Sequence, residues 1–258
     1  MITRDVPAVR LDSLAKSFSG KTAVNGIDLV VPAGSFFGIV GPNGAGKTTT
    51  LRMLCALLRP DSGRAFIDGV DVWSSPAAAK HRYGLVPDNP MLFDRLSGRE
   101  MVEFSGLLRG LDPRAVKARG EELLGILGLE GDADRLVADY SLGMTKKIAL
   151  ACALLHAPSV LILDEPFGAI DPVSTQTVES ILRHFTTGGG TVVFSSHVMD
   201  VVERLCDRVA VVANGSVLTS GTIAELARGR RLQEVFIELV GAGAAVDEGL
   251  AWLSSSVA

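Results

Sequence analysis

The apolar run Phe36 to Val40 passes directly into Gly41, Pro42, Asn43, Gly44, Ala45, Gly46, Lys47 and Thr48, and that junction leaves few folds open. These eight residues fit G-x-x-x-x-G-K-S/T, a phosphate-binding loop hung on the end of a strand. A triphosphate is held there by convergent backbone N–H groups, and Gly44 and Gly46 allow the chain to turn tightly with no Cβ in the way. Lys47 adds a cation for the β- and γ-phosphates, and the Thr48 hydroxyl is placed for Mg²⁺. A helix is expected over Thr49 to Leu58, its positive N-terminal end facing the same phosphates. The chain is expected to bind a nucleoside triphosphate.

The remaining sequence is consistent with a globular protein built around that loop. Its 258 residues are 47% hydrophobic and 21% charged, enough apolar material for a large core. A net charge of −4 argues against a nucleic-acid partner, because phosphate backbones select basic faces. Cys55, Cys152 and Cys206 are far apart and lie in apolar stretches, as expected of small buried hydrophobes in a reducing compartment. Met1 to Leu11 has no signal-peptide core, and no run of about 18 apolar residues predicts a membrane span.

Strands and helices interleave along the chain. Val9 to Pro32 alternates short β-like runs about a turn at Ser19 and Gly20, and Asp68-Gly69 and Asn214-Gly215 predict two hairpins. Tyr83 to Val86 is expected to be a short strand. Val160 to Leu163 and Thr191 to Ser195 are continuous apolar runs suited to strands covered on both faces. From Leu96 to Gly128 the period becomes helical, with Met101, Phe104, Leu107 and Leu108 expected on one buried face and Leu123, Leu124 and Leu127 on another. Ser141 to Leu155 predicts a further helix with a serine N-cap. The pattern is α/β with a helical insertion in its middle.

Three further groups bear on chemistry. The strand ending in Asp164 and Glu165 points adjacent carboxylates to opposite sides, so one can hold Mg²⁺ with Thr48 while the other polarises an attacking water. His197 follows the strand Thr191 to Ser195, at the carboxyl end where open α/β sheets gather ligands, although a merely structural histidine has the same signature. Ser141 and Gly143 open a helix whose free N–H donors suit an anion, or an ordinary N-cap.

In this order and spacing, from about Val9 to Gly229, the groups resemble the ATP-binding subunit of an ABC transporter. Gly41 to Thr48 is similar to its Walker A motif and Leu161 to Glu165 to its Walker B. Ser141 to Met144 is similar to the signature sequence, Gly168 to Asp171 to the D-loop and His197 to the switch histidine. The variant Met144 and the segment Leu232 to Val240 resemble bacterial subunits that partner ABC-2-type exporters. The resemblance implies a P-loop NTPase with a mixed central sheet, an N-terminal antiparallel β-subdomain and an inserted helical subdomain at about residues 89–157. The ATPase domain would span residues 1–228, followed by a short extension over residues 229–258, in which Trp252 and Leu253 would pack on the body or contact a dimer mate.

The same resemblance implies the roles. Phe18 would stack on adenine; Lys47, Thr48 and Thr49 would meet phosphate; Thr48 and Asp164 would hold Mg²⁺; Glu165 would be the general base and His197 would contact the γ-phosphate. Ser141, Gly143 and Met144 would act in trans on ATP held by a second ATPase subunit, in a homodimer or heterodimer, and Asp171 would link the two sites. A membrane-spanning transporter subunit would dock on the helical insertion, at the cytoplasmic face of a bacterial membrane, with no nucleic acid involved. Hydrolysis of ATP would drive transport, in the export direction.

One position departs from the family pattern. Asp88 stands where the family has a glutamine that offers a neutral oxygen to Mg²⁺ or water, and the acid would add negative charge near the γ-phosphate. Two arrangements are open: Asp88 enters the site, or it faces away and Asn89 or a water replaces it. The departure leaves a rival function, a nucleotide-gated regulatory module with weak ATPase activity. A second rival, a soluble ABC ATPase of DNA repair or translation, would carry a long coiled-coil insertion or two fused ATPase domains, and the sequence shows neither.

Overall fold

Strand alternation divides the molecule into two cores on either side of one sheet. The computed structural model describes residues 6–168 and 170–241, so Trp252 and Leu253 lie outside the described residues. In chain order the elements are β1 (Val9–Phe18), β2 (Lys21–Val31), β3 (Phe36–Val40), α1 (Lys47–Leu54), β4 (Ser62–Ile67), β5 (Val70–Asp71), α2 (Pro76–Lys80), β6 (Tyr83–Val86), α3 (Gly98–Leu108) and α4 (Pro113–Ile126). Then come α5 (Leu142–Leu154), β7 (Val160–Asp164), α6 (Pro172–Thr187), β8 (Thr191–Ser196), α7 (Met199–Leu205), β9 (Arg208–Ala213), β10 (Ser216–Thr222), α8 (Ile223–Ala227) and α9 (Leu232–Val240).

The central sheet runs β10-β9-β3-β8-β7-β6, parallel except for the β9–β10 hairpin, and is therefore mixed. A second, antiparallel sheet runs β2-β1-β4-β5. Along the central strands, successive side chains enter different cores, as a period of two requires. Phe36, Val40, Leu161, Leu163, Val192, Phe194, Val209 and Val211 face the core shared with α3 to α7 and α9. Phe37, Ile39, Ile162, Val193, Ala210 and Val212 face the core shared with α1 and the antiparallel sheet. Burial on both faces explains why these strands read as unbroken apolar runs, and each fully buried large side chain contributes about 1.5–3 kcal/mol.

Two expectations about helices are corrected. The first helix, expected over Thr49 to Leu58, spans Lys47–Leu54, because Ala56 takes a left-handed φ of 53°. Its terminal carbonyls are taken by distant side chains: Tyr83 Oη donates to Cys55 O at 2.6 Å and Trp73 Nε1 to Met53 O at 3.2 Å.

The second correction concerns α3. Met101 and Val102 are buried, but Phe104, Leu107 and Leu108 are 40%, 49% and 75% exposed, so they are not core. The close-packed side of α3 runs instead through Gly106, where a Cβ would come within 2.7 Å of Leu155 and Val116 side-chain atoms. That approach draws the opposite side of the helix inward and leaves the aliphatic stripe facing out. On α4 and the turn after it, Leu124 and Leu127 are buried as expected.

Candidate functional site

The phosphate-binding loop lies between β3 and α1 and is fixed from behind. Gly46 is the N-cap residue of α1 with φ 103°, and a Cβ there would come within 2.5 Å of Ala23 O on β2. Ala45 is buried; its carbonyl accepts from Gly215 N at 3.0 Å, and Gly215 O accepts from Asn25 N at 2.7 Å. The loop is thus tied to both sheets, and residues 41–46 can turn their N–H groups to one point.

Lys47 is 7% exposed, with Nζ donating to Gly41 O at 2.7 Å and Pro42 O at 3.2 Å. Its ammonium therefore lies across the mouth of the loop. Asn43, Gly44, Ala45, Gly46, Lys47, Thr48 and Thr49 line a cleft of about 430 Å³, together with Phe18, Asp88 and Glu165. Gly41 and Pro42 form the back of the loop through the carbonyls that hold Lys47. Phe18 stands at the end of β1, 46% exposed at the cleft edge, with Lys16 Nζ 5.7 Å from its ring centroid.

The carboxyl end of β7 meets the loop. Asp164 is 5% exposed, and its Oδ1 accepts from Thr48 Oγ1 at 3.1 Å and from Ser195 Oγ at 2.5 Å. Glu165, just past the end of β7, has its Oε1 3.7 Å from Lys47 Nζ and 3.0 Å from His197 Nδ1. The Glu165 backbone is left-handed at φ 47°, and its N–H donates to Ser195 Oγ at 3.0 Å. Phe167, two residues on, packs edge-on against Phe194 with centroids 5.9 Å apart, which anchors the turn to β8.

Ser195 was not singled out by sequence reasoning, although it joins both acidic residues. The same strand holds two other buried hydroxyls, Thr191 and Ser196, so nothing local marks Ser195 out. Lys146 is a second residue not singled out, buried on α5 with Nζ donating to Glu165 O at 2.8 Å and lying 3.4 Å from Asp88 Oδ1. Asp88 therefore enters the cleft, whereas Asn89 lines a separate depression with Tyr140 and Thr145.

The remaining candidates lie elsewhere. Ser141 is exposed and caps α5, its hydroxyl accepting from Met144 N at 3.3 Å; Ser141, Gly143 and Met144 are not among the residues lining the phosphate cleft of their own chain. Asp171 caps α6, accepting from Val173 N at 3.1 Å and Ser174 N at 2.9 Å. Hydrogen bonds from Ser174 and Val173 hold its carboxyl below the usual carboxylate range.

This donor set suits a nucleoside triphosphate. The loop amides, the α1 N-terminus and Lys47 present positive charge to phosphate. The Thr48 hydroxyl and Asp164 carboxylate, 3.1 Å apart, are hard oxygen ligands of the kind Mg²⁺ takes. Within reach of the cleft, Glu165 and His197 can exchange protons with a water or a phosphate oxygen.

Comparison with known proteins agrees with the geometry. Residues 24–168 match the family described as ABC transporter. The daunorubicin/doxorubicin resistance ATP-binding protein DrrA of Streptomyces peucetius is 39% identical over 226 residues, covering 88% of this chain and 68% of DrrA. The Nod factor export ATP-binding protein I of Burkholderia lata is 38% identical over 218 residues, covering 84% of this chain and 72% of that protein. Among solved structures, an ATP-binding subunit of an ABC transporter superposes with a TM-score of 0.84 at 27% identity, over 90% of this chain and 99% of the other.

Proposed function

Since this chain belongs to the ABC transporter family, we propose that it is the ATP-hydrolysing subunit of a bacterial exporter, docked at the cytoplasmic face of the membrane on a separate membrane-spanning subunit. One observation carries the site: at the carboxyl ends of β3, β7 and β8, Thr48 lies 3.1 Å from Asp164, Lys47 lies 3.7 Å from Glu165, and Glu165 lies 3.0 Å from His197.

ATP is the substrate. Phe18 offers a flat apolar face for the adenine, and the loop amides with Lys47 bind the triphosphate. Thr48 and Asp164 would hold Mg²⁺, which would supply positive charge to offset that of the phosphates. Glu165 accepts a proton from the attacking water, and His197 donates a hydrogen bond toward the γ-phosphate. Ser141, exposed, and Gly143, half-buried, at the start of α5 meet the γ-phosphate held by a second copy, so a complete site needs two subunits.

Export is the direction suggested by the resistance and Nod factor export relatives. Among the described residues no helix is long and apolar enough to cross a membrane. The docking face is an exposed apolar group: Met91, 93% exposed, Phe93 packed edge-on against Phe104 at 5.3 Å, and Leu107 and Leu108 on the same helix as Phe104. Contiguous exposed apolar surface of this kind marks an interaction site. The regulatory alternative depends on the charge at Asp88, whose Oδ1 lies 3.4 Å from Lys146 Nζ.

The test is the oligomeric state of Glu165→Gln by size-exclusion chromatography with light scattering. ATP without turnover is expected to accumulate a dimer that ADP does not support. A monomer at saturating ATP would refute the shared site.

A further inference from the structure

The Lys146 side chain is 3% exposed, on a helix whose following residues Ile148, Ala149 and Leu150 are all core. An ammonium in that setting carries a desolvation cost of several kcal/mol unless oxygen atoms replace its water. Two loops supply them. Glu165 O accepts from Nζ at 2.8 Å, and Asp88 Oδ1 lies at 3.4 Å as the counter-charge.

The carbonyl held in this way belongs to a strained residue. A left-handed φ at a residue with a side chain is strained and persists only where the surroundings enforce it. Glu165 is enforced from both sides: Ser195 Oγ takes its N–H, and Lys146 takes its C=O, a carbonyl that also accepts from Gly168 N at 3.3 Å. Rotation of either peptide plane would carry the carboxylate away from Lys47 and His197. Asp88, 62% exposed on the cleft wall, is joined to this clamp through Lys146.

We propose that Lys146 is a positioning residue for Glu165 and that Asp88 is its counter-ion rather than a ligand of the metal. The inference rests on the reading of Glu165 as general base. Its distinctive consequence concerns charge. Asp88→Asn alone leaves a buried ammonium short of a partner and is expected to slow hydrolysis. Asp88→Asn with Lys146→Gln restores a neutral pair whose amides reproduce the same donor and acceptor directions.

The experiment measures kcat and KM for MgATP, binding of a fluorescent ATP analogue and melting temperature for the purified chain and its variants. Lys146→Met is expected to lower kcat about 100-fold with KM changed less than about 3-fold, the pattern of a lost transition-state arrangement. Asp88→Asn and Lys146→Gln are each expected to lower kcat about 10-fold, and the double variant to recover to within about 3-fold of wild type, a non-additive result for contacting residues.

A Lys146→Met enzyme with wild-type kcat, a loss confined to KM, or additive losses in the double variant would overturn the proposal. If Lys146→Met fails to fold, Asp88→Asn at an exposed position and the double variant decide alone. An inactive wild type, or a Glu165→Gln variant that turns over normally, overturns the functional reading and this inference together. An active wild type with a dead Glu165→Gln and a fully active Lys146→Met overturns this inference only.

Discussion

Ser195→Ala removes one oxygen atom from a position with no solvent access, and its effect can be worked out from the partners. The hydroxyl donates to Asp164 Oδ1 at 2.5 Å and accepts from Glu165 N at 3.0 Å. A hydrogen bond to a carboxylate contributes about 1.5–3 kcal/mol, and a buried N–H left unpaired costs about 1–3 kcal/mol. Thr48 Oγ1 still donates to Asp164, so the carboxylate is not stripped and the first figure applies at its lower end. The sum is about 2.5–4.5 kcal/mol. In a domain of this size each kcal/mol moves the melting temperature by about 2–4 °C, which predicts a fall of about 5–18 °C. Differential scanning calorimetry reads this directly, with Ser196→Ala as the comparison, since Ser196 Oγ accepts only from Val198 N of the following turn. A Ser195→Ala melting temperature within about 1 °C of wild type would refute the claim that this hydroxyl joins the two acidic residues.

Gly46→Ala places a Cβ against Ala23 O and forces a side chain onto φ 103°; melting is expected to fall by several degrees and nucleotide affinity by at least about tenfold, measured by calorimetry and fluorescence titration. His156 is half-buried beside the Arg109 guanidinium, and desolvation first, then that charge, lower its pKa to about 4. The unfolded chain therefore binds the extra proton between about pH 6.5 and 4, so this contribution to stability is complete above that window and declines as pH falls through it. Going from pH 8 to pH 5 is expected to cost about 1–2 kcal/mol that His156→Gln does not lose, read from denaturant melts at the two values. Phe93→Asp removes an aromatic anchor from the exposed apolar face and is expected to weaken co-purification with the membrane subunit about 10- to 30-fold.

Features dictated by neighbours in the chain were legible in the sequence. Phe36 to Val40 forms a strand with the expected bounds because both of its faces are covered, and the Asp68-Gly69 and Asn214-Gly215 turns close the expected hairpins. Where distant residues decide, local reading fell short. The first helix ends at Leu54, where Ala56 turns left-handed and Trp73 and Tyr83 reach back to the carbonyls of Met53 and Cys55, contacts across 20 residues or more. An aliphatic stripe on α3 looked like core, but Gly106 allows a close approach on another side and leaves Phe104, Leu107 and Leu108 outside. Ser195 and Lys146 carry no local mark of their roles, since the atoms they bind come from β7 and the exit of β6. Between Asp88 and Asn89 the sequence left the choice open; Asp88 lines the cleft and Asn89 a separate depression.

The central claim is that Glu165 serves as base in a site built on Lys47, Thr48 and Asp164. Steady-state ATPase activity of the purified chain with Mg²⁺, beside Glu165→Gln, tests it most directly. The account predicts turnover by the wild type and a loss of about 100-fold or more in kcat in the variant, with nucleotide binding retained. Equal turnover by the two proteins would contradict it.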